Sequence, residues 1–410
     1  MSSHSCDVLV IGGGMVGLCI AHQLLERGVT ANITVLDKEP NLGRHSSGRN
    51  SGVLHAGLYY KPGSVKAQVC VSGAKRLRAW VEERKLPLNA CGKLIVPPRA
   101  ELDGQLDVLA ERGRANGAVV ELWDESQLRQ KIPEARSASS RALWSPNTAV
   151  VKPITVMRQL QQELQERGVN FLAAQHGWTA KPEQQQLLLT DGSALHYGHL
   201  FNCAGLQSDR VAHSFGVGEQ YSLLPFKGLY WQLKKSCPIQ PSCNLYPVPD
   251  LKVPFLGVHF TPSAEPNPMV SIGPTATPAW GRENYRGLQA VEPAMAAANL
   301  AVLARQYLAN RGGFRRYVHE QAFLVLPPLL LRAAQQLIPA IRAEHLEVSE
   351  KVGIRSQMFN HSTQALEDDF LCLPGPASTH VLNAISPAFT ASFALADLIL
   401  DQSLPEFHLA

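Results

Sequence analysis

The sequence predicts an α/β fold, α+β overall, in two domains. Near the N-terminus an apolar run enters a glycine-rich turn, and a helical pattern follows. The segment from about residue 225 to 346 instead holds many prolines and short β-branched or aromatic runs. The chain has 410 residues, more than one hydrophobic core usually serves. The first feature is typical of a Rossmann-like domain, and the second of a mostly antiparallel β-sheet domain.

The N-terminal unit reads as strand, tight turn and helix in "DVLVIGGGMVGLCIAHQLLERG". The run from Val8 to Ile11 is continuously apolar, as expected of a parallel strand that is buried on both faces. Gly12, Gly14 and Gly17 then form G-x-G-x-x-G, and apolar residues return at helical spacing from Val16. The strand before the glycines and the helix after them make this a specific fingerprint of dinucleotide binding.

Each glycine of the fingerprint has a distinct physical task. Gly12 permits the sharp turn, Gly14 lets backbone N–H groups approach a pyrophosphate, and Gly17 lets the helix pack on the strand. The positive end of the helix then faces the phosphates. A second strand, "ITVL", leads to Asp37, 20 residues after Gly17, where a carboxylate can accept hydrogen bonds from ribose hydroxyls.

The fingerprint serves FAD and NAD alike, and three later segments favour FAD. The glycine- and serine-rich loop "KEPNLGRHSSGRNSG" suits a ribityl-phosphate chain. A strand in "HLFNCAGLQSD" closes on Ala204 and Gly205, a second point of close backbone approach. In "HVLNAISPAFTASFALADLIL" we expect Ser386 as the N-cap and Pro387 as the first helical residue. That helix would direct its positive end at the charge that a reduced flavin carries near N1 and O2.

We therefore expect one non-covalently bound FAD per chain, although His45 and Cys372 have the chemistry of covalent tethers. We expect no metal, because the histidines form no H-x-x-x-H or H-x-H pair. The predicted FAD-binding residues are Gly12, Gly14, Met15, Val16, Gly17, Asp37, Lys38, Ser46, Ser47, Asn50, Ser51, Gly52, Val53, His176, Ala204, Gly205, Pro387, Ala388, Phe389 and Thr390.

The chain resembles the FAD-dependent oxidoreductases of the D-amino-acid-oxidase superfamily and, within it, the L-2-hydroxyglutarate dehydrogenase/oxidase family. Arg49 stands where that family usually has a histidine, and "NAISPAFTAS" replaces the common "NAPSPAATS". The second difference brings Phe389 toward the flavin or the substrate. The matching segments, which run nearly end to end, are "VIGGGMVGL", "GRNSGVLHAGLYYKPGSVKAQVC", "CGKLIVP", "YPVPD", "PFLGVHFT", "SIGP", "GIRSQ" and "DDFLCLPGPASTHVLNAISPAFTAS".

The resemblance implies two interleaved domains. We expect residues 1–75, 145–220 and 345–410 in the FAD-binding domain, and residues 76–144 and 221–344 in the substrate domain. The implied reaction is oxidation of L-2-hydroxyglutarate to 2-oxoglutarate by hydride transfer to flavin N5. Other substrates stay open on the same scaffold: another 2-hydroxy acid, an amino acid, a secondary amine or glycerol 3-phosphate. A non-catalytic flavin-binding assembly factor is the alternative of a different class.

Such a reaction needs a base for the hydroxyl group, and we choose His55. His55 lies in the small-residue loop that should pass close to the isoalloxazine ring. A structural role, in which the imidazole only hydrogen-bonds the flavin or backbone, is the competing interpretation. His259 in "GVHFT" is the alternative base, entering the cavity from the substrate domain.

The substrate carboxylate needs a cation, best a bidentate arginine. We choose Arg355 in "GIRSQ", with Lys227 in "PFKGLY" as the second candidate. Tyr246 and Tyr60 can donate further hydrogen bonds to carboxylate oxygens, although a tyrosine more often serves packing.

Composition narrows the partners and the compartment. A net charge of +4 without a Lys/Arg block argues against nucleic-acid binding. Eight cysteines without a C-x-x-C suit free thiols in a reducing compartment. No segment reaches the ~20 apolar residues of a membrane span, and a strand from Val8 leaves no room for a signal peptide. We expect a cytoplasmic protein that takes a small carboxylate, passes electrons to oxygen or a quinone, and has peripheral contact with the inner membrane face as an open alternative.

Overall fold

A computed structural model describes residues 3–249, 257–310, 313–322 and 324–404. Part of the motif "PFLGVHFT" falls at 254–256 and lies outside the described residues. The α-helices of the described chain are α1 (Met15–Glu26), α2 (Ser46–Arg49), α3 (Val65–Glu83), α4 (Gly104–Ala115), α5 (Glu125–Lys131), α6 (Pro153–Glu166), α7 (Ser208–His213), α8 (Pro293–Ala309), α9 (Phe314–Ala322), α10 (Pro327–Gln335) and α11 (Ala388–Ser403).

The strands follow in chain order. They are β1 (Ser3–Ile11), β2 (Ile33–Leu36), β3 (Val53–Leu54), β4 (Leu88–Asn89), β5 (Lys93–Val96), β6 (Glu121–Asp124), β7 (Arg141–Ser145), β8 (Ala149–Val151), β9 (Asn170–Leu172), β10 (Trp178–Lys181), β11 (Gln186–Leu189), β12 (Ala194–Asn202), β13 (Tyr221–Leu223), β14 (Phe226–Leu233), β15 (Asn244–Pro247), β16 (His259–Pro262), β17 (Val270–Gly273), β18 (Thr277–Pro278), β19 (Leu346–Arg355), β20 (Met358–Asn360), β21 (Ala365–Leu366), β22 (Cys372–Gly375) and β23 (Ser378–Val381).

The first large sheet has eight strands, and its centre is parallel. Its order is β10-β11-β12-β1-β2-β9, with β23 beside β12 and β22 beside β23. The strand β1 pairs in parallel with both β2 and β12, and Ile11 lies opposite both Leu36 and Asn202. This register brings the carboxyl ends of three strands to one edge, where such sheets bind ligands. The predicted Rossmann-like unit is confirmed.

Helices cover this sheet because the strands are apolar on both faces. The four residues of β2 are all buried, and α1, α3, α6 and α11 supply most of the helical side chains in the same core. The helix α1 ends at a glycine, since Arg27 is its C-cap and Gly28 follows with a φ of 63°. No helix of the described residues is long and apolar enough to cross a membrane.

The second large sheet has nine strands and is mostly antiparallel, as predicted. Its order is β18-β14-β17-β16-β15-β5-β7-β6, and β19 pairs with β14. The pair β5–β15 is parallel, and the remaining pairs are antiparallel. A separate hydrophobic core lies against this sheet and includes Leu94, Leu245 and Phe260.

The two large sheets draw on interleaved parts of the chain, and two regular elements do not follow the predicted domain boundaries. The strand β19 pairs with β14 of the nine-stranded sheet from Phe226↔Arg355 to Leu233↔Leu346, although residues 345–410 were predicted for the FAD-binding domain. The boundary at residue 75 falls inside α3, which continues to Glu83 and packs on α11. Strand pairing thus joins β19 to the nine-stranded sheet, and the continuous helix α3 runs across the predicted boundary at residue 75.

Candidate active site

The glycine turn brings two loops into backbone contact at the carboxyl edge of the parallel sheet. Gly12 has a φ of 102°, and a Cβ there would lie 2.4 Å from the carbonyl oxygen of Cys203. A Cβ on Gly17 would lie 2.1 Å from the carbonyl oxygen of Gly12. Both positions therefore require glycine. Gly12 needs it for its positive φ and its close contact with Cys203, and Gly17 needs it so that α1 can pack against the turn.

The N-terminus of α1 presents an uncapped positive end. Gly14 is the N-cap and has no side chain with which to cap the helix, and no acidic residue lies in its first turn. The Ser47 hydroxyl accepts a hydrogen bond from the backbone N–H of Met15 at 3.0 Å. Asp37 accepts from the N–H of Gly13 at 2.7 Å, so its carboxylate holds the turn and keeps lone pairs for a ribose hydroxyl.

The loop that carries α2 is held by its own polar side chains and by β19. The Ser46 hydroxyl donates to the carbonyl of Ile354 at 2.8 Å. The Asn50 amide donates to the carbonyl of Ser47 at 2.6 Å and accepts from the N–H of Gly52 at 2.8 Å. The first of these bonds places the loop directly beside the end of β19, where Arg355 lies.

The loop then joins the start of α11. The Thr390 hydroxyl accepts from the N–H of His55 at 3.2 Å and donates to the carbonyl of Val53 at 3.1 Å. The helix begins one residue later than predicted: Pro387 is the N-cap, and Ser386 lies outside the helix and makes no cap. No acidic residue occupies its first turn, so this helix also presents an uncapped positive end.

The third loop of the sheet edge follows β12. The side-chain oxygen of Asn202 accepts from the N–H of Ala204 at 3.2 Å, and Gly205 has a φ of 54°. This loop lies against Gly12 through Cys203. The predicted FAD residue His176 is exposed, in the loop between β9 and β10.

A charged cluster lies beside the loop that follows β2. Glu39, His45 and Glu283 place ligand atoms within 4.8 Å of one another, a spacing that suits a metal. The ammonium of Lys38, however, pairs with Glu39 at 2.7 Å and with Glu283 at 2.8 Å, so an internal cation already neutralises the carboxylates. Both His45 nitrogens are engaged, with Glu39 and with the Tyr285 hydroxyl, each at 2.9 Å.

The two predicted histidines belong to one cluster in which His259 is buried and His55 is half-buried. The Nδ1 atom of His55 is buried and has no hydrogen-bond partner among the described residues. Burial lowers the pKa of His55 well below 6.5, and the charges of Lys93 and His259 add to this. His259 is 5% exposed, and burial lowers its pKa to about 3. Both imidazoles are therefore neutral at pH 7.

The surroundings of His259 fix its tautomer. Its Nδ1 lies 2.8 Å from the carbonyl oxygen of Gly257, which can only accept, so Nδ1 carries the proton and Nε2 keeps a lone pair. Its ring stacks on Tyr246, with ring centroids 3.8 Å apart. The charge of Arg355 contributes to the lowered pKa of His259, which places the guanidinium near the same cluster.

The remaining predicted substrate residues divide into two groups. Tyr60 is near Ser386 at the start of α11, and burial raises its pKa well above 10. Tyr246 is buried against His259. The Nζ of Lys227 donates to the side-chain oxygen of Asn284 at 3.0 Å.

Lys93 and Tyr59 also belong to the cluster, and neither was predicted. Lys93 is 1% exposed, and its Nζ lies 4.3 Å from the ring centroid of Tyr246 and 5.2 Å from that of Tyr59. The signal was present in "CGKLIVP", where a charged residue begins a short apolar strand. A strand that is buried at all four positions, as β5 is, has no solvent in which to place an ammonium.

The chain is similar in sequence to a family of FAD-dependent oxidoreductases. The family model described as FAD dependent oxidoreductase, DAO, matches residues 7–402. This chain belongs to that family. It is 34% identical to L-2-hydroxyglutarate dehydrogenase, mitochondrial, of Caenorhabditis elegans, over 98% of this chain and 94% of the relative. It is 32% identical to L-2-hydroxyglutarate dehydrogenase of Indibacter alkaliphilus, over 98% and 99%.

Solved structures of FAD-dependent oxidoreductases superpose on this chain over nearly its full length. The L-α-glycerophosphate oxidase of Mycoplasma pneumoniae, with FAD bound, superposes with a TM-score of 0.76 at 18% identity, over 99% of this chain and 96% of the other. Glycine oxidase of Geobacillus kaustophilus gives 0.72 at 18% identity over the same shares. At this identity the likeness shows the fold.

FAD is the cofactor of this oxidoreductase, and the residues present fit it. A Cβ on Gly12 would collide with backbone, and Gly14 leaves the N-terminus of α1 open to a pyrophosphate. The uncapped N-terminus of α11 suits the negative charge of a reduced flavin ring. We propose that Asp37 holds the ribose and that the loop from Ser46 to Val53 lies along the ribityl chain.

We predict that Gly14→Glu abolishes FAD binding, because the new carboxylate would occupy the pyrophosphate position with the wrong charge. The measurement is the flavin released per chain on heat denaturation. The matched control is Gly104→Glu, which adds the same charge at an exposed glycine with nothing within 4 Å of the new Cβ. Full flavin content in folded Gly14→Glu would contradict the assignment.

Proposed function

We propose that this chain oxidises L-2-hydroxyglutarate to 2-oxoglutarate with FAD as its cofactor. The observation that carries this proposal is the joining of two neutral imidazoles, one half-buried and one buried, with Arg355 next to the loop from Ser46 to Val53. Such a set suits a 2-hydroxy acid, which offers a hydroxyl proton to a base and a carboxylate to a cation. The relatives described above are named L-2-hydroxyglutarate dehydrogenases, and that name specifies a five-carbon dicarboxylate as the substrate.

The reaction removes a proton from the hydroxyl oxygen and a hydride from C2, and a carbonyl forms at C2. When bound, FAD supplies the acceptor of that hydride at its N5 atom. Arg355 would hold the C1 carboxylate through its planar fork, which fixes the orientation of the neighbouring C2–H bond. Tyr60 and Tyr246 would donate to the same region as phenols, since burial raises the pKa of both.

We propose His55 as the base that accepts the hydroxyl proton. Its backbone is fixed by Thr390 of α11 and by Cys70, whose thiol donates to the His55 carbonyl at 3.4 Å. The imidazole is therefore attached to a firmly held backbone next to the expected flavin position. Its buried Nδ1 has no hydrogen-bond partner among the described residues. A buried polar atom without a partner is costly unless a ligand satisfies it.

His259 is the second candidate, favoured by its fixed tautomer. The hydrogen bond to Gly257 leaves Nε2 as an acceptor at all pH values above about 3. Its low basicity suits an acceptor that orients the hydroxyl group, whereas a proton acceptor works best with a pKa close to the working pH. We therefore propose His55 for proton transfer and His259 for orientation.

The direct test mixes the purified holoenzyme anaerobically with a panel of reductants and records bleaching of the visible flavin band. The panel contains L-2-hydroxyglutarate, its D-enantiomer, other 2-hydroxy acids, amino acids, sarcosine and glycerol 3-phosphate. We expect rapid bleaching with L-2-hydroxyglutarate. If only another compound of the panel bleaches the flavin, that compound is the substrate instead. If no compound bleaches it, the result favours a non-catalytic flavoprotein.

We propose that the reduced enzyme passes its electrons to oxygen or to a quinone. Re-oxidation of the bleached enzyme by air, compared with a soluble quinone under nitrogen, separates the two acceptors. A cytoplasmic location suits either acceptor, and a membrane quinone would bring the enzyme to the inner face of the membrane.

We predict that Arg355→Lys, which keeps the charge and loses the fork, lowers kcat/KM by at least ~2 kcal/mol of transition-state binding. Steady-state kinetics with L-2-hydroxyglutarate measure it. Arg129→Lys is the control, because Arg129 lies in an exposed i,i+4 pair with Glu125. If kcat/KM is unchanged in Arg355→Lys, the carboxylate-binding role belongs to Lys227 instead.

We predict that the fall of kcat/KM on the acidic side begins only below pH 6.5. The base must be neutral, and burial lowers the pKa of His55 below its ordinary 6.5, so protonation begins at lower pH. His55→Gln should slow single-turnover flavin reduction by roughly 10²-fold and remove the acidic fall.

The same measurement on His259→Gln is the matched control for the histidine experiment. We expect slower reduction with the acidic fall retained, because the orienting residue is not the proton acceptor. FAD content should stay full in both variants, since the glycine turn binds it independently. If His55→Gln loses FAD and the surviving holoenzyme keeps the wild-type profile, the residue is structural.

A further inference from the structure

We propose that Lys93 binds the second carboxylate of the substrate, so that Lys93 and Arg355 together select a dicarboxylate over a monocarboxylate. This inference rests on the proposed function and deepens it. It assigns a specificity-determining role to Lys93, which lies on β5 of the nine-stranded sheet. The neighbouring strand, β15, carries Tyr246.

The position of Lys93 is set by the centre of the nine-stranded sheet. The strand β5 pairs in parallel with β15 and antiparallel with β7, and Lys93 lies opposite both Asn244 and Ser145. Its side chain is 1% exposed, and its Nζ lies near the rings of both Tyr59 and Tyr246. The ammonium is therefore held inside the protein beside the Tyr246 ring, which stacks on His259.

The surroundings of Lys93 contain no balancing negative charge among the described residues. The charges that act on it are those of the thiols of Cys70 and Cys91, and burial raises the pKa of both thiols, so they are neutral. A buried ammonium without an anion is unfavourable, and proteins seldom keep one without a ligand to pair with. An anionic ligand would supply the missing partner.

Two buried polar atoms in the same cluster also lack a partner among the described residues. They are the Tyr59 hydroxyl and His55 Nδ1. Lys93 lies over the ring of Tyr59, and its charge acts on His55. A cation and unsatisfied polar groups around one volume are what a carboxylate needs, because an ionised carboxylate accepts through four lone-pair sites.

The charge balance matches the substrate. L-2-hydroxyglutarate carries two carboxylates at neutral pH, and the cluster offers two cations, Arg355 and Lys93, with both imidazoles neutral. A monocarboxylate bound at Arg355 would leave Lys93 without an anion, and this difference gives selectivity for the dicarboxylate.

Lys93 would also make binding depend on pH. Burial lowers the pKa of its ammonium to about 7, so the free enzyme loses this charge as the pH rises through 7. Binding of a dianion should then weaken on the alkaline side, and binding of a monoanion should not. The titratable and charged groups that face Lys93 or act on its neighbours include His55, Tyr59, Tyr60, Cys70, Cys91, Lys131, Tyr230, Tyr246, His259 and Arg355.

The experiment compares L-2-hydroxyglutarate with L-2-hydroxyvalerate, which has a methyl group in place of the second carboxylate. We expect Lys93→Met to lower kcat/KM for the dicarboxylate by roughly 10- to 100-fold, the range of a charge-assisted hydrogen bond. Activity on L-2-hydroxyvalerate should change by less than about twofold, because that substrate never used the charge.

Two further lysines serve as matched controls. Lys131 lies 5.2 Å from the ring of Trp144, a similar contact with a different ring. Lys351 lies 5.1 Å from the ring of Tyr230, and burial lowers its pKa to about 8. Neither Lys131→Met nor Lys351→Met should change the ratio of the two substrates. If Lys351→Met removes the preference and Lys93→Met keeps it, the assignment is overturned.

Two readouts separate ligand binding from a structural role. Lys93→Met should raise the melting temperature of the ligand-free holoenzyme, because it removes an uncompensated buried charge; a structural cation predicts a lower one. Lys93→Arg keeps a charge at every pH, so kcat/KM for the dicarboxylate should lose its fall above pH 7. Titration of the flavin spectrum with 2-oxoglutarate and 2-oxovalerate measures the same preference without turnover.

The outcomes distinguish the two proposals. If L-2-hydroxyglutarate reduces the wild-type flavin and Lys93→Met keeps the wild-type preference for the dicarboxylate, the role of Lys93 is wrong and the proposed function stands. If L-2-hydroxyglutarate fails to reduce the wild-type flavin, the proposed function fails and the role of Lys93 fails with it. A lower melting temperature together with equal losses on both substrates would also overturn the inference.

Discussion

The parallel pairing of β1 with β2 and β12 is the constraint on which the rest of the site depends. It aligns three strand ends at one edge, so the loops that begin at Gly12, Asp37 and Cys203 meet there. At that edge the backbone of Gly12 touches the carbonyl of Cys203, an approach that no side chain would allow. The uncapped N-terminus of α1 then faces the ligand, because the helix starts where the strand stops.

A second coupling joins the cofactor side to the substrate side. Thr390 at the start of α11 bonds the backbone of both Val53 and His55, and Ser46 bonds the end of β19 beside Arg355. The loop that carries the proposed base is thus held from two directions, by a helix of one core and a strand of the other sheet. Rigid support of this kind is what holds reacting groups at a productive distance.

Burial governs the chemistry of the cluster. It lowers the pKa of His55 and His259, so both rings are neutral acceptors, and it lowers the pKa of Lys93 to about 7. The same desolvation that makes the imidazoles suitable for an uncharged hydroxyl group leaves the ammonium without an internal anion. The cluster is therefore complete only with a negatively charged ligand, and its stability is reduced in exchange for selectivity.

The sequence by itself determined the dinucleotide unit, because Gly12, Gly17 and Asp37 act through local turn geometry that is legible in neighbouring residues. It also indicated His55, Arg355 and His259 as chemically suited residues, through resemblance along the chain. Only the tertiary structure showed that Lys93 belongs with them, since β5 and β15 are about 150 residues apart and meet only by strand pairing. Burial decided the protonation of the cluster and the membership of β19, because desolvation and strand pairing depend on distant parts of the chain.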